Sequence, residues 1–362
     1  MKLTFLLSSL WLSGGVRVVI EFANRLTLRG HSVALVYPGG TLDRDLASEI
    51  SPQVKLIETP VKRASRMNLF QSLMLTWSMA QQTPASDIIL PTHTPATPAG
   101  WIASRLMHKG ECVWFYQDYI EMFQGKPLET WLVKNALRWQ KGALVVSEYS
   151  KQELASFVQH KPVLVSSEGL SHAEYFHPIP TSERRPDGAE PRAILYLGDN
   201  RPRKGLYDFL EAAKIVYRQF PGIRLVIVSK EDCEIPSEIP SEFIYRPARE
   251  DLARLYATCA VFVLASWWES FGLPPLEAMA CGAPVVMTDS RGVRDYAKPG
   301  VNCLMVEPHD VQTLADAILT VLRQPDLADR LRKNGPETAS QFTWARAVEQ
   351  FENGLLQITG KS

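Results

Sequence analysis

Two glutamates, Glu269 and Glu277, lie in WESFGLPPLEAMACG, residues 268–282. Gly272 permits close backbone approach, and Pro274 and Pro275 suit the first turn of a helix, where a missing N–H costs little. Gly282 suits the end of that helix, and PVVMT after it is a β-branched, apolar run of buried parallel-strand type. Glu269 is therefore expected in a loop and Glu277 in the opening turns of a short helix. The free N–H groups of a helix start attract phosphate, whereas carboxylates there repel it unless they reach other groups, and carboxylates accept hydrogen bonds from hydroxyls. The pattern suits a ligand with phosphate in its middle and hydroxyl-rich rings at both ends, of which a nucleotide-sugar is one. A capping arrangement with one solvated glutamate fits the same spacing.

Other segments carry compatible chemistry. GDNRPRKGLYDFLEAA places Arg201, Arg203 and Lys204 before an amphipathic helix, where they could face an anion or form a solvated basic loop. SGGVRVV puts Gly14 and Gly15 where a strand passes into a helix; it is neither GxGxxG nor a phosphate-binding P-loop, and a tight turn explains it equally. His93 in DIILPTHTP and Gln117 and Asp118 in CVWFYQDY end two strand-like runs, as acceptor-side candidates or as hydrogen-bonded loop residues. Asp43 and Asp45 in TLDRDLA could hold a divalent metal, but they open a polar helix and read as its cap.

The elements that must position these groups alternate between strand and helix. The first half reads as strand 2–8, helix 15–29, strand 32–37, helix 67–81, strand 87–90, helix 96–108, strand 111–116, helix 128–141 and strand 143–146. HPIPTSERRPDGAEPR, 177–192, interrupts the pattern with prolines and charges and reads as a linker. The pattern restarts with strand 193–198, helix 205–219, strand 224–229, helix 249–258 and strand 260–266, ahead of the glutamate motif. This is an α/β chain of two Rossmann-like parallel-sheet domains, expected to face each other across a cleft at their strand ends. The boundaries are 1–178, a linker at 179–192 and 193–341, with an amphipathic segment 342–362 that could pack on either half.

A chain of 362 residues is long for one core, and its 39 basic and 39 acidic residues balance, so no global charge points to nucleic acid. The five cysteines form no CxxC pair and read as reduced, buried small residues of a cytoplasmic protein. MKLTFLLSSLWLSGG imitates a secretory signal, but LTFLLSS serves equally as a first buried strand that runs on into helix and second strand. No apolar run is long enough to span a bilayer. The segment 61–80, VKRASRMNLFQSLMLTWSMA, joins cations to a Met, Leu, Phe and Trp face. It reads as a core-facing helix with a basic lead-in, and peripheral membrane contact is the alternative.

Taken together, these segments resemble the retaining glycosyltransferases of family 4, with the GT-B fold, over nearly the whole chain. The specific part is Glu269 and Glu277 within SWWESFGLPPLEAMACGAPVV. SGGVRVVIEFANRLTLRGHSV, EGLSHAEYFHP, YLGDNRPRKG and RPAREDLARLYATCAVFVLAS support it in the expected order. The resemblance implies that Glu277 binds the ribose of a nucleotide-diphosphate-sugar and that Glu269 contacts the transferred sugar. It further implies that the Ser270, Phe271, Gly272 and Leu273 turn receives the distal phosphate. Lys204, with Arg201 or Arg203, would neutralise the diphosphate, and Gly14 and Gly15 would let the first domain close over the donor. The final helix would cross back to the first domain. Two departures stand out: Asp199 replaces the usual arginine, leaving Arg201 to supply that charge, and Gln117-Asp118 replaces the frequent His-Asp.

The expected reaction is retaining transfer to a hydroxyl of a saccharide or lipid-linked acceptor, in the building of a surface polysaccharide or glycolipid. No metal or other cofactor is expected to be required if Lys204 and an arginine carry the leaving-group charge. Rival readings are another GT-B enzyme, such as a nucleotide-sugar epimerase or a phosphorylase, and a non-catalytic nucleotide-sugar-binding protein. Base contacts are expected near Tyr245 to Pro247.

Overall fold

Alternating β-rich and amphipathic segments fold into two units of parallel sheet, seen in a computed structural model that describes residues 1–64, 67–180 and 192–361. One unit comprises residues 1–168 and 344–362, the other residues 169–343. The centre of the expected linker, 181–191, lies outside the described residues.

The first unit runs in order through β1 (Lys2–Leu6), α1 (Gly14–Leu28), β2 (Ser32–Gly39), α2 (Arg44–Glu49), β3 (Lys55–Lys62), α3 (Leu69–Gln82) and β4 (Ile88–Pro91). It continues with α4 (Thr97–Trp101), β5 (Glu111–Cys112), β6 (Trp114–Tyr116), α5 (Pro127–Asn135), β7 (Ala143–Val145), α6 (Glu148–Phe157) and β8 (Val163–Val165). Its strands form a parallel sheet of order β3-β2-β1-β4-β5 and a parallel set β6-β7-β8. The order in which strands are added reverses between β1 and β4, the switch point where ligands of such folds bind outside the carboxyl ends of the strands.

The second unit comprises β9 (Arg192–Gly198), α7 (Leu206–Gln219), β10 (Ile223–Ser229), β11 (Ser241–Tyr245), α8 (Arg249–Thr258), β12 (Val261–Leu264) and α9 (Leu273–Ala280). It closes with β13 (Val285–Thr288), β14 (Leu304–Val306), α10 (Val311–Arg323) and α11 (Pro325–Ala339). The sheet order is β11-β10-β9-β12-β13-β14, all parallel, with its switch point between β9 and β12. Ile194, Phe209, Ile227, Val263 and Ile318 lie in the core on which α7 and α10 pack. Finally α12 (Trp344–Thr359) packs on the first unit, where the Phe351 ring lies tilted against Phe22 with ring centroids 4.6 Å apart and Trp344 meets Phe22 edge-on at 5.0 Å.

Three expected elements of the first unit divide. The run 111–116 is two strands: Val113 donates its N–H to Ile89 O, but Trp114 turns to Gly142 O, so the chain changes partner in mid-run. The helix expected over 96–108 is α4 followed by a π-helical turn at 102–106. Pro95 and Pro98 withhold two N–H groups at its start, and Gly100 lies so close to the strands that a Cβ would sit 2.4 Å from Pro91 Cγ. The helix expected over 128–141 ends at Asn135 and continues as a 3-10 turn. Strands β3, β8, β11 and β14 gave no sequence signal because they are short, or exposed and interrupted by polar residues.

The segment read as a core-facing helix keeps that role on one side only. Leu75, Met79 and Ala80 of α3 enter the core with Leu6, Val36 and Ile89. The opposite side leaves Leu69, Phe70, Leu73, Met74 and Trp77 exposed. Ser65 and Arg66 of that segment lie outside the described residues.

Candidate active site

In the second unit the groups named from sequence gather at the switch point. The chain leaves β9 at Gly198, makes a short 3-10 turn through Pro202–Lys204 and enters α7 at Gly205. Gly205 has φ +65°, and a Cβ there would fall on Ala265 O, so this approach requires glycine. Tyr196 Oη donates to Lys204 O at 2.9 Å and Trp267 N–H to Arg203 O at 2.7 Å, which ties the basic turn to the exit of β12. Lys204 Nζ then reaches Glu269 Oε1 at 2.6 Å, with Arg203 Nη1 at 3.8 Å from Oε2 of the same carboxylate.

Burial alone would raise the Glu269 carboxyl, but the charges of Lys204 and Arg203 outweigh it and hold the group below the ordinary glutamate value. Its backbone is fixed as well: Glu269 N–H donates to Ser290 O at 2.9 Å and its carbonyl accepts from Gly292 N–H at 3.1 Å. A Cβ on Gly292 would stand 2.4 Å from the Ser270 carbonyl carbon and oxygen, so the loop after β13 also needs glycine. Beside it Asp289 binds Arg294 through Nε at 2.7 Å. Sequence reasoning missed this loop, although TDSRGVRD has the same signature of a strand end followed by glycine and charge as the two motifs it did find.

The helix after the turn forms as its residues dictate. Gly272 is the N-cap of α9 at φ +87°, Pro274 and Pro275 lie in the first turn, and Gly282 follows the end at φ +74°. Tyr296 Oη donates to Gly272 O, which fixes the cap. Phe271 is buried against Tyr296 and Phe342, so at this turn only the backbone of Phe271 is left to face a ligand, beside Ser270, Gly272 and Leu273. Glu277 is half-buried and accepts from Tyr256 Oη at 3.2 Å. The Tyr256 phenol, raised by burial and by Glu277, keeps its proton and remains a donor.

Arg201 is placed differently from Lys204. Its Nε and Nη2 lie 2.8 and 2.5 Å from the two oxygens of Asp199, whose carboxyl is nine-tenths or more buried. Asp199 thus stands where its own Arg201 can clamp it, and the arginine's charge is already matched by a carboxylate.

In the first unit a second group gathers at the corresponding switch point. Ser13 caps α1 by accepting from Val16 N–H, and Gly14 and Gly15 form its first residues. A Cβ on Gly15 would stand 3.3 Å from Gln117 Oε1 and 3.4 Å from His93 Cε1, so the three residues share one small space. His93 Nδ1 lies 3.1 Å from Asp118 Oδ1, and Asp118 Oδ2 accepts from the Thr94 N–H at 2.6 Å and hydroxyl at 2.7 Å. Burial pushes the Asp118 carboxyl up, but His93 and these hydrogen bonds prevail and lower it. In the neutral imidazole Nδ1–H donates to Asp118 and Nε2 keeps a free lone pair. Gln117 is 4% exposed, yet neither its amide oxygen nor its nitrogen has a partner among the described residues. An unsatisfied buried amide is costly, so this one is matched to a group that both donates and accepts, such as a hydroxyl.

Asp43 caps α2, accepting from Asp45 N–H at 2.9 Å, as its position implied. Among the described residues no group of three or more His, Cys, Asp or Glu side chains could hold a metal ion. All five cysteines are free, and all but Cys233 are buried. Among the described residues no helix is long and apolar enough to cross a membrane.

Two family profiles match, one described as Glycosyltransferase Family 4 over residues 12–174 and one as Glycosyl transferases group 1 over residues 181–338. The chain is 26% identical over 227 residues to an O-antigen chain mannosyltransferase B of Escherichia coli, an alignment covering 58% of this chain and 59% of that protein. The chain therefore spans less than two thirds of this relative's length. In fold it is similar to sucrose-phosphate synthase of Thermosynechococcus elongatus, with a TM-score of 0.80, 19% identity and 100% of both chains covered. It is also similar to HepE of Anabaena in complex with UDP-glucose, with a TM-score of 0.78, 19% identity, and 99% of this chain and 100% of that one covered.

Proposed function

The chain belongs to the family 4, group 1 glycosyltransferases of GT-B fold, and on that premise we propose that it moves a sugar from a nucleotide-diphosphate-sugar to an acceptor hydroxyl with retention of configuration. The observation that carries this reading is the Lys204–Glu269 contact of 2.6 Å at the switch point of the second unit, beside the N-terminal turn of α9. A cation, a carboxylate and free helix N–H groups meet there, as a phosphate joined to a sugar requires.

As the glycosidic C–O bond breaks, negative charge grows on the distal phosphate and positive charge on the anomeric carbon. Lys204 and Arg203, with the N–H groups at the start of α9, stabilise the first. Glu269 accepts from hydroxyls of the transferred sugar and supports the second electrostatically. The acceptor oxygen attacks on the face the phosphate leaves, and its proton passes to the departing phosphate oxygen. Glu277 accepts from the ribose hydroxyls, held for that by the Tyr256 hydroxyl. In the first unit Gln117 and His93 Nε2 bind hydroxyls in the space that Gly15 leaves open, with Asp118 setting the imidazole. Arg201, matched by Asp199, is assigned a supporting part behind Lys204.

The O-antigen enzyme among its relatives supports a role in a surface polysaccharide or glycolipid, with a saccharide or lipid-linked acceptor. HepE is held with UDP-glucose, which makes a UDP-sugar the first donor to try. The test is thermal stabilisation by UDP-, GDP-, ADP- and dTDP-sugars, each beside its free nucleotide, followed by transfer assays with the stabilising donor. Stabilisation by one nucleotide class, lost in Glu277→Ala, and sugar transfer lost in Lys204→Ala are expected. Isomerisation of the donor without any acceptor, or binding without transfer to any acceptor, would overturn the assignment.

A further inference from the structure

In the loop after β13, Arg291 occupies a backbone conformation that suits glycine. Its φ is +73° and its ψ −70°, the centre of a γ-turn closed by the Gly292 N–H on Ser290 O at 3.0 Å. A residue with a long side chain is strongly disfavoured there, whereas glycine adopts the conformation freely. The surroundings impose it. Ser290 O accepts from the Glu269 N–H at 2.9 Å, the Gly292 N–H also reaches Glu269 O at 3.1 Å, and Asp289 Oδ1 accepts from the Arg291 N–H at 3.4 Å. Arg291 is thereby held opposite Glu269 in a single parallel bridge. Strained residues persist only where their surroundings over-determine them, and they gather at ligand sites. Glycine would satisfy this backbone, so what the arginine adds is its side chain.

That side chain is not used up within the protein. Arg294 takes both oxygens of Asp289, with Nε at 2.7 Å from one and Nη2 at 2.5 Å from the other. Arg291 Nη1 stands off at 3.9 Å from the same carboxylate, its side chain is 37% exposed, and its guanidinium makes no hydrogen bond among the described residues. The Glu269 charge is matched separately, by Lys204 and Arg203. A guanidinium fixed at its root and left without a carboxylate of its own presents a planar fork of donors, which a carboxylate fits bidentately.

We propose that Arg291 is a specificity-determining residue of the donor site and selects a transferred sugar that carries a carboxylate, so that the donor is a nucleotide-diphosphate-hexuronate. The inference rests on the transfer reading above, in which Glu269 accepts from hydroxyls of the transferred sugar. A cation one bridge away from Glu269 is positioned for the periphery of that sugar, while the diphosphate has its own cations in Lys204 and Arg203. A neutral hexose leaves the Arg291 guanidinium to water; a hexuronate gives it a charge-assisted pair.

The test is calorimetric titration of the full chain with matched donors: UDP-glucuronate beside UDP-glucose, UDP-galacturonate beside UDP-galactose, GDP-mannuronate beside GDP-mannose, and free UDP and GDP. One hexuronate is expected to bind at least tenfold more tightly than its neutral counterpart, with a gap that added salt narrows. Arg291→Gly should bring that ratio to within about twofold, and Arg291→Lys, which keeps the charge and loses the fork, should retain part of it. The melting temperature of Arg291→Gly should hold or rise, since glycine relieves the turn; a fall would mark a structural arginine and count against the proposal. Hexuronates that bind no better than the neutral sugars in every pair would overturn it, as would a folded Arg291→Gly variant that keeps the preference. An equal loss for free nucleotide and both donors would do the same, because Arg291 would then serve the diphosphate. Binding of neutral donors without a hexuronate preference defeats this inference alone, whereas no binding of any nucleotide or nucleotide-sugar defeats the transfer reading and this inference with it.

Discussion

Glu153 in the first unit and Glu269 in the second are both withdrawn from water, yet their carboxyls move in opposite directions. Glu153 accepts from the Tyr116 hydroxyl and from the Ile120 N–H at 3.0 Å, and burial pushes it up to about 7. Burial acts on Glu269 in the same sense, but Lys204 and Arg203 reverse it. Neutral donors satisfy a carboxyl's geometry; only a cation beside it keeps the charge affordable away from water. The first carboxyl holds the chain at 116–120, behind Gln117 and Asp118, while the second is kept ionised at the switch point, where a developing positive charge can use it.

Removing the cation should break this difference most severely. Lys204→Ala leaves Glu269 buried with only the more distant Arg203, and turnover should fall about 10²–10³-fold with a much smaller change in donor affinity, read by steady-state kinetics. A parallel loss in affinity and rate would count against the assigned role.

The pH dependence of stability should sharpen the same comparison. A raised carboxyl keeps its proton in the folded chain, so between its ordinary value and about 7 the folded state binds more protons than the unfolded one. Stability should therefore fall as pH rises through that window, by on the order of 3 kcal/mol, and Glu153→Gln should flatten the slope in denaturant titrations. Glu269 has the opposite sign: its contribution is present above the ordinary glutamate value and is lost as pH falls through its lowered one.

Within the second unit, Glu277→Ala should weaken donor binding at least tenfold with turnover less affected, measured by calorimetry. Two glycines extend the contrast between the units. Gly292→Ala forces a Cβ against the backbone of Ser270 and should cost about 1–3 kcal/mol in unfolding experiments. Gly15→Ala meets only side-chain tips at 3.3–3.4 Å and should leave stability nearly intact while raising the acceptor KM. The smallest effect is expected for Arg201→Ala, at most about threefold in turnover, because Asp199 already matches its charge.

The turn at Gly272, the prolines of α9, its end at Gly282 and the Asp43 cap of α2 were legible in the sequence because each rests on the backbone preferences of a few adjacent residues. The restart of the strand–helix pattern at β9 was legible for the same reason. Partners were not. Lys204 and Glu269 meet, Arg201 turns to Asp199, and Gln117 is buried with no partner among the described residues because of the order in which distant strands pair. The split of 111–116 between two sheets and the exposed side of α3 have the same origin, since periodicity marks an apolar face without saying whether anything covers it. The sequence by itself determined the local turns, the alternation and the chemical kinds of the site residues. Tertiary structure alone decided which charges were paired and which apolar surface was left open, because both depend on contacts between residues far apart along the chain.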